Sequence, residues 1–262
     1  MKIVMIGSSF RSGGNTEQIL DLLQNTLLKE SETRRLNLEI DRLSLGREVI
    51  QPCRGCRLCF DHGEEFCPGK DSVLSIQKKL ESADAVVAAS PVYVEDVNGI
   101  MKTWIDRMAF NCHRPAFCGK CAVVLTTSGS GSSGHAAGTL TNALGAWGFR
   151  IVVRDKFRMG ARMEPEQIPV SFQARLDRIA SKLLNAMLRQ PEQSPSLSSL
   201  IAFHIQQANV RKSAPQTKDH QYWEERGWLR KGAVCFSAKR PGLVKIVFST
   251  VIGFAVEKLI FT

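Results

Sequence analysis

The alternation of two kinds of apolar segment constrains the fold of this sequence more than any other feature. Five short apolar runs, typical of buried strands, each precede a segment whose apolar residues recur at helical spacing. The runs cover residues 2–6, 36–40, 83–89, 122–126 and 149–153, and the helical segments cover 15–29, 72–82, 97–108, 136–147 and 165–188. This alternation predicts a doubly wound, five-stranded parallel sheet with helices on both faces. In such sheets ligands bind at the carboxyl ends of the strands.

A change of composition near residue 190 predicts two parts. Residues 1–190 form the α/β domain, and residues 191–262 form a basic, mostly helical appendage that we call the C-terminal extension. The stretch 190–199 is rich in Pro, Ser and Gln and predicts a linker. Residues 243–262 are strongly apolar but contain three charged residues. They predict a helix packed on the domain or on a second subunit, because a membrane span needs about 20 residues nearly free of charge.

The net charge of +10 does not indicate a nucleic-acid partner. Lys and Arg are spread along the whole chain, whereas nucleic-acid binders concentrate them on one stripe beside exposed aromatic residues. The apolar run at residues 2–6 is too short for a secretory signal. We therefore expect a cytoplasmic protein without a nucleic-acid or membrane partner.

The loop after the first strand is suited to a phosphate group. Residues 7–16 contain four hydroxyl side chains and three glycines, and the loop opens directly into a helix. Such a loop offers backbone N–H groups and hydroxyl donors in front of the positive end of the helix. These features predict a site for a phosphate monoester, to which Arg11 adds positive charge. The loop is not a P-loop, because no Gly-Lys-Ser/Thr follows. An ordinary strand-to-helix turn is the alternative.

Four of the eight cysteines are clustered with the spacing C-x2-C-x2-C-x7-C. They are Cys53, Cys56, Cys59 and Cys67. In a cytoplasmic protein, cysteines are better interpreted as ligands, redox groups or core thiols than as disulfides. The first three match the start of a ferredoxin-type run, and Pro68 follows the fourth as it does in that run, which favours a 4Fe–4S cluster. Zinc is the alternative, although structural zinc sites usually use two separate C-x2-C pairs. The other four cysteines are interpreted as buried thiols: Cys112, Cys118, Cys121 and Cys235.

Taken together, these motifs resemble the NADPH-dependent FMN reductase family, in particular its iron–sulfur flavoprotein branch. The matching pieces cover roughly residues 1–155: GSSFRSGGNT, CRGCRLC with Cys67, SADAVVAASPVYVEDVNGIMKTWIDRM and TTSGSGSSG. The resemblance implies a flavodoxin-like fold that binds FMN in the loops after strands one, three and four. It also implies a homodimer or tetramer.

By this resemblance, three groups of residues would hold the cofactor. The phosphate would be held by Ser9, Arg11, Ser12, Asn15 and Thr16, with Ser8 beside them. The flavin ring would lie along Pro91, Val92 and Tyr93, with Asn98 in reach, and its polar edge would approach Thr127, Ser128 and Gly129. We expect no catalytic side chain, because FMN carries the chemistry. His62, His113 and His135 are interpreted as solvated loop residues, and Lys102, Asp106 and Arg107 as ion-paired charges on a helix surface.

Residues 129–134 also match G-x-G-x-x-G, which by itself suggests a dinucleotide fold with Asp155 as the ribose acceptor. Asp155 lies 26 positions beyond Gly129, and the motif follows the fourth strand rather than the first. The flavin interpretation is therefore preferred.

Three functions remain open at this point. The first is an FMN-dependent, iron–sulfur electron-transfer protein that couples two-electron flavin chemistry to one-electron cluster chemistry, with a small-molecule or ferredoxin-like donor or acceptor. The second is an NAD(P)H-dependent FMN or quinone reductase without a cluster. The third is a redox-sensing, flavodoxin-like binding module.

Overall fold

The computed structural model describes residues 1–129, 131, 133–160, 163, 166–189, 195–236 and 241–261, with side chains through 255 in the last segment. Its strands are β1 (Lys2–Gly7), β2 (Glu39–Ser44), β3 (Ala85–Tyr93), β4 (Asp96–Val97), β5 (Cys121–Ser128) and β6 (Arg150–Arg158). Five of them form a parallel sheet in the order β2-β1-β3-β5-β6, and β4 pairs antiparallel with the end of β3. The strand order reverses between β1 and β3, so the predicted flavodoxin-like, doubly wound sheet is confirmed.

Helices cover both faces of this sheet. They are α1 (Asn15–Thr33), α2 (Leu58–Asp61), α3 (Val73–Ser82), α4 (Gly99–Arg107), α5 (Phe110–His113), α6 (Gly134–Ala146), α7 (Gln167–Leu188), α8 (Leu197–Lys212), α9 (Lys218–Glu225) and α10 (Leu243–Phe261). Alternate residues of β1 belong to different cores: Val4 packs with the α3, α4 and α6 side, and Ile3 packs with the α1 and α7 side. A strand buried on both faces needs apolar residues at every position, which explains the unbroken apolar runs.

The second strand lies later than predicted, at Glu39–Ser44 rather than 36–40. Helix α1 continues to Thr33, Arg35 adopts a left-handed conformation, and the Leu36 N–H donates to the Ser31 carbonyl at 2.8 Å. Residues 34–36 therefore terminate the helix, and pairing with β1 starts only at Glu39.

The C-terminal extension is helical, as predicted. Helices α8 and α9 enclose an aromatic cluster that contains Phe203, Trp223, Trp228 and Phe236. Helix α10 lies on α8, where a Cβ atom at Gly253 would come within 2.6 Å of His204. Apolar side chains elsewhere on α10 are exposed: Leu243, Val244, Val247, Phe248, Val251 and Phe254.

The start of the extension differs from the prediction, because α8 begins at Leu197, inside the predicted linker. Positions 190–194 of that linker lie outside the described residues. Within the part of the chain that is described, we find no helix with both the length and the apolar content needed for a membrane crossing.

Candidate functional site

Three loops meet at the carboxyl ends of β1, β3 and β5 and form a cleft of about 380 Å³. Ten of the thirteen residues predicted to bind the cofactor line it: Ser9, Arg11, Asn15, Thr16, Pro91, Val92, Tyr93, Thr127, Ser128 and Gly129. Since these residues come from three distant parts of the sequence, the parallel sheet is what brings them together.

The first loop is shaped by its own hydroxyl groups and is tied to β5. The Ser9 hydroxyl accepts a hydrogen bond from the Arg11 N–H at 3.1 Å, and the hydroxyls of Thr16 and Thr127 lie 2.7 Å apart. The residue before α1 is Gly14, which has no side chain to cap the helix, and the Glu17 carboxylate accepts a hydrogen bond from the Gly13 N–H at 2.7 Å. The backbone N–H groups of its first turn are therefore available to an anion.

The remaining three predicted residues lie beside the cleft rather than along it. Asn98 is buried, and its side-chain amide donates to the Ser8 carbonyl at 2.6 Å, while its backbone N–H donates to the Ser90 hydroxyl. Asn98 thus connects the loop after β1 to the end of β3. The Ser8 hydroxyl is buried without a hydrogen-bond partner among the described residues, which is uncommon in folded proteins. Ser12 is exposed and accepts a hydrogen bond from Arg47 at 3.0 Å.

Arg47 and Gly46 were not predicted to belong to this region. They lie in the turn after β2, which the sheet places beside the first loop because β2 pairs with β1. A Cβ atom at Gly46 would lie 2.6 Å from the Ser9 carbonyl oxygen, so only glycine permits this approach. The strand order could have indicated the contact, but no motif in the sequence marks these two residues.

A second cleft, of about 680 Å³, contains all four clustered cysteines in its lining. Cys53 and Cys56 are exposed, and Cys59 and Cys67 are half-buried. Gly55 and Arg57 both have positive φ angles, near 65°, so the backbone turns sharply between the first three thiols. Among the described residues, no three His, Cys, Asp or Glu side chains are grouped as a single metal ion would require.

Burial and charge act in opposite directions on the Cys59 thiol. Burial raises its pKa to about 11, the guanidinium of Arg114 lowers it, and Cys67 and Cys53 raise it. The thiol is therefore protonated at neutral pH, and a bound metal centre would have to displace that proton.

A buried ion pair joins the two ends of the cysteine segment. The Arg107 side chain is 3% exposed and pairs with the fully buried side chain of Asp71. The same guanidinium donates to the carbonyls of Gln51 and Gly69, both at 2.9 Å, on either side of the segment. Burial lowers the pKa of Arg107, but the hydrogen bond to Asp71 and the charge of Cys67 outweigh it, so the pKa is raised.

The interpretation of Arg107 as a surface charge is thus wrong, because Asp71 and two carbonyl groups replace water around it. The predicted ion pair between Lys102 and Asp106 is confirmed, with 2.5 Å between Nζ and Oδ1 on the helix surface.

The dinucleotide interpretation gains no support from Asp155, the acidic residue that it needs for the ribose. Asp155 is engaged by Arg175, whose Nε donates to it at 2.7 Å. Two positions of the G-x-G-x-x-G motif, 130 and 132, lie outside the described residues. Of the cysteines interpreted as buried thiols, Cys121 is buried, whereas Cys112, Cys118 and Cys235 are half-buried.

Comparisons with known proteins agree with this arrangement. An iron–sulfur flavoprotein of Archaeoglobus fulgidus is 29% identical over 231 residues, which is 87% of this chain and all of that protein. An iron–sulfur flavoprotein of Methanosarcina thermophila is 30% identical over 136 residues, covering 52% of this chain and 67% of its own. Among solved structures, RosB with a bound 8-demethyl-8-formylriboflavin-5'-phosphate superposes with a TM-score of 0.59 at 14% identity, over 93% of this chain and 94% of its own. That likeness shows the fold.

The family assignment rests on the sequence match over the α/β domain. The family described as NADPH-dependent FMN reductase matches residues 1–162, which is more than half of the chain. The matched region contains both clefts, from the first loop after β1 to the end of β5. The chain therefore belongs to the NADPH-dependent FMN reductase family of flavin-dependent oxidoreductases.

Proposed function

We propose that this protein is an electron-transfer flavoprotein that carries FMN in the cleft at the strand ends and a 4Fe–4S cluster on Cys53, Cys56, Cys59 and Cys67. The observation that carries the proposal is the convergence of ten residues from three separate loops on one cleft, in a member of an FMN-dependent family. The cluster is included in the proposal because four thiols line the second cleft.

The chemistry of the first cleft fits FMN. The uncapped start of α1 and the hydroxyls of the first loop suit a phosphate dianion, and Arg11 and Arg47 add positive charge nearby. Pro91, Val92 and the half-exposed ring of Tyr93 offer an apolar wall for a flavin ring. Bound FMN would supply the two-electron and one-electron chemistry, while the side chains bind and orient it.

The donor set of the second cleft supports a cluster rather than zinc. All four donors are thiols, the ligand type that iron–sulfur clusters prefer. The first three thiols follow the C-x2-C-x2-C spacing of ferredoxin-type runs, whereas structural zinc sites usually use two separate C-x2-C pairs. The relatives named iron–sulfur flavoproteins agree with this choice.

FMN and a cluster in one chain would convert between two-electron and one-electron carriers. NAD(P)H, a ferredoxin-like protein or another small molecule could then serve as donor or acceptor, and these partners stay predictions, as does the homodimer or tetramer. The family description names NADPH-dependent FMN reduction, which favours an NAD(P)H-dependent FMN or quinone reductase without a cluster as the second candidate.

Anaerobic purification with iron, acid-labile sulfide and FMN measured per chain tests the proposal. We expect flavin bands on a broad sulfur-to-iron absorption, with about one FMN and about four irons per chain. Flavin bands alone that bleach with NADPH would support the second candidate. A colourless protein that does not bind added FMN in calorimetry would contradict both and favour a redox-sensing module.

Gly46→Ala is expected to weaken FMN binding about ten-fold, which corresponds to about 1.4 kcal/mol. The added Cβ atom would overlap the Ser9 carbonyl and push the first loop out of place. Titration calorimetry of the FMN-free variant measures the effect. Gly145→Ala in α6 is the matched control, because no described heavy atom lies within 4 Å of its added Cβ atom. Equal affinities for both variants would show that this loop does not hold FMN.

A further inference from the structure

A buried ion-pair network connects the C-terminal extension to the cysteine segment. Arg114, which follows α5, is 3% exposed and donates to Asp219 of α9 through one nitrogen. Its other nitrogen donates to Glu64 at 2.7 Å. Glu64 lies in the loop between Cys59 and Cys67 and lines the cysteine cleft. One guanidinium therefore links this loop to a helix more than 100 residues away.

A second set of contacts, through His113, also joins α9 to the cysteine segment. His113 Nδ1 lies 2.7 Å from the other carboxylate oxygen of Asp219, and its ring stacks on Phe60 with the centroids 4.4 Å apart. Phe60 directly follows Cys59 and also lines the cleft. The carbonyl of His113 accepts a hydrogen bond from the Trp223 indole at 2.7 Å, again from α9. The interpretation of His113 as a solvated loop residue is therefore wrong.

From these contacts we infer that the C-terminal extension forms part of the cysteine site. Asp219 is a positioning residue that holds Arg114 and His113, and these two fix the chain between Cys59 and Cys67 through Glu64 and Phe60. The inference rests on the proposed function, because the group that this arrangement would serve is the iron–sulfur cluster.

The network places one guanidinium and two carboxylates, those of Asp219 and Glu64, beside the cysteine cleft. Arg114 holds Glu64, which lines the cysteine cleft, so its positive charge lies beside that cleft. A fixed cation beside a cluster favours its more negative, reduced form, and second-shell partners of this kind tune both affinity and reduction potential. Glu64 and Asp219 offset that positive charge, and Asp219 also keeps Arg114 in place, so removing the charge of Asp219 leaves a more positive surrounding for the cluster.

Two substitutions at Asp219 separate its role as the acceptor that holds Arg114 from the effect of its negative charge. Asp219→Ala removes both the acceptor and the charge. We therefore expect the anaerobically purified variant to release iron to a ferrous chelator about ten-fold faster than the wild type. This is the lower end of the effect that second-shell substitutions have on metal affinity. Asp219→Asn keeps an acceptor for Arg114 but removes the negative charge. We expect this variant to release iron at nearly the wild-type rate and to have a more positive cluster potential in an EPR-monitored redox titration.

Glu225→Ala is the matched control, because it removes an exposed carboxylate from the same helix. It should change neither iron release nor potential, and all three variants should bind FMN as the wild type does. If wild-type protein holds iron but both Asp219 variants match it in iron release and potential, the inference is overturned and the proposed function stands. Should Asp219→Ala fail to fold, the cluster potential of Asp219→Asn still tests the inference, and an unchanged potential overturns it. Wild-type protein without iron would overturn the proposed cluster itself.

Discussion

Asp71→Ala is expected to lower the free energy of unfolding by about 3–5 kcal/mol, the cost of leaving one member of a buried ion pair without its partner. Arg107 would keep its charge in a site that is only 3% exposed. The same substitution removes the acceptor for the backbone N–H groups of Gln51 and Val73, at 2.8 and 3.2 Å. Urea unfolding of the holoprotein, followed by tryptophan fluorescence, measures the change.

Asp41→Ala provides the control for this measurement. Asp41 pairs with Lys79 at 3.2 Å, but the two side chains are 27% and 42% exposed. Partly solvated pairs usually contribute no more than about 1 kcal/mol, so this variant should unfold close to the wild type. A similar loss of stability in both variants would contradict the role given to the buried pair.

The contribution of Asp71 should also depend on pH. Burial raises the pKa of its carboxyl group, but hydrogen bonds from Arg107 and from two backbone N–H groups outweigh burial and lower the pKa below its ordinary value of 3.8. A carboxyl group with a lowered pKa stabilises the folded state above its unfolded pKa, and this stabilisation is lost as the pH falls through the folded pKa. The difference between wild type and Asp71→Ala should therefore shrink below about pH 4.

The sheet and the first cleft could be predicted because both depend on local patterns. Apolar runs and helical spacing mark the strands and helices, and the loops after parallel strands necessarily share one edge of the sheet. The error at β2 arose because the end of α1 uses Leu36 for a helix-terminating hydrogen bond, which alternation of apolar residues does not reveal.

The contacts that sequence analysis missed join residues far apart in the chain. Arg107 reaches the Gln51 carbonyl, 56 positions away, and Arg114 reaches Asp219, 105 positions away. On its own helix, Arg107 is surrounded by Lys102 and Asp106 and therefore resembles a surface charge. The apolar period of helices α8 and α9 is weak in the sequence. Part of the aromatic cluster that they enclose comes from outside them, since Trp228 and Phe236 lie after α9.

Cys56→Ala is expected to lower the iron content per chain at least about ten-fold while FMN binding stays unchanged. Removing a direct ligand should cost at least as much as the ten-fold or larger losses caused by second-shell substitutions. Cys56 lies between Gly55 and Arg57, whose positive φ angles turn the chain around the second cleft. The FMN cleft is lined by other residues, so its affinity for FMN should not depend on this thiol.

Cys118→Ala is the matched control, because Cys118 belongs to the other C-x2-C pair of the chain. Its thiol donates to the Pro115 carbonyl at 3.5 Å, and burial raises its pKa to about 12, which disfavours the thiolate that a metal centre needs. Iron, sulfide and FMN are measured per chain for both variants after anaerobic purification. Iron retained in Cys56→Ala, or lost equally in both variants, would contradict the ligand assignment. Iron lost only in Cys56→Ala, with FMN retained, would establish two separate cofactor sites, since one thiol would then control the metal centre without affecting the flavin cleft.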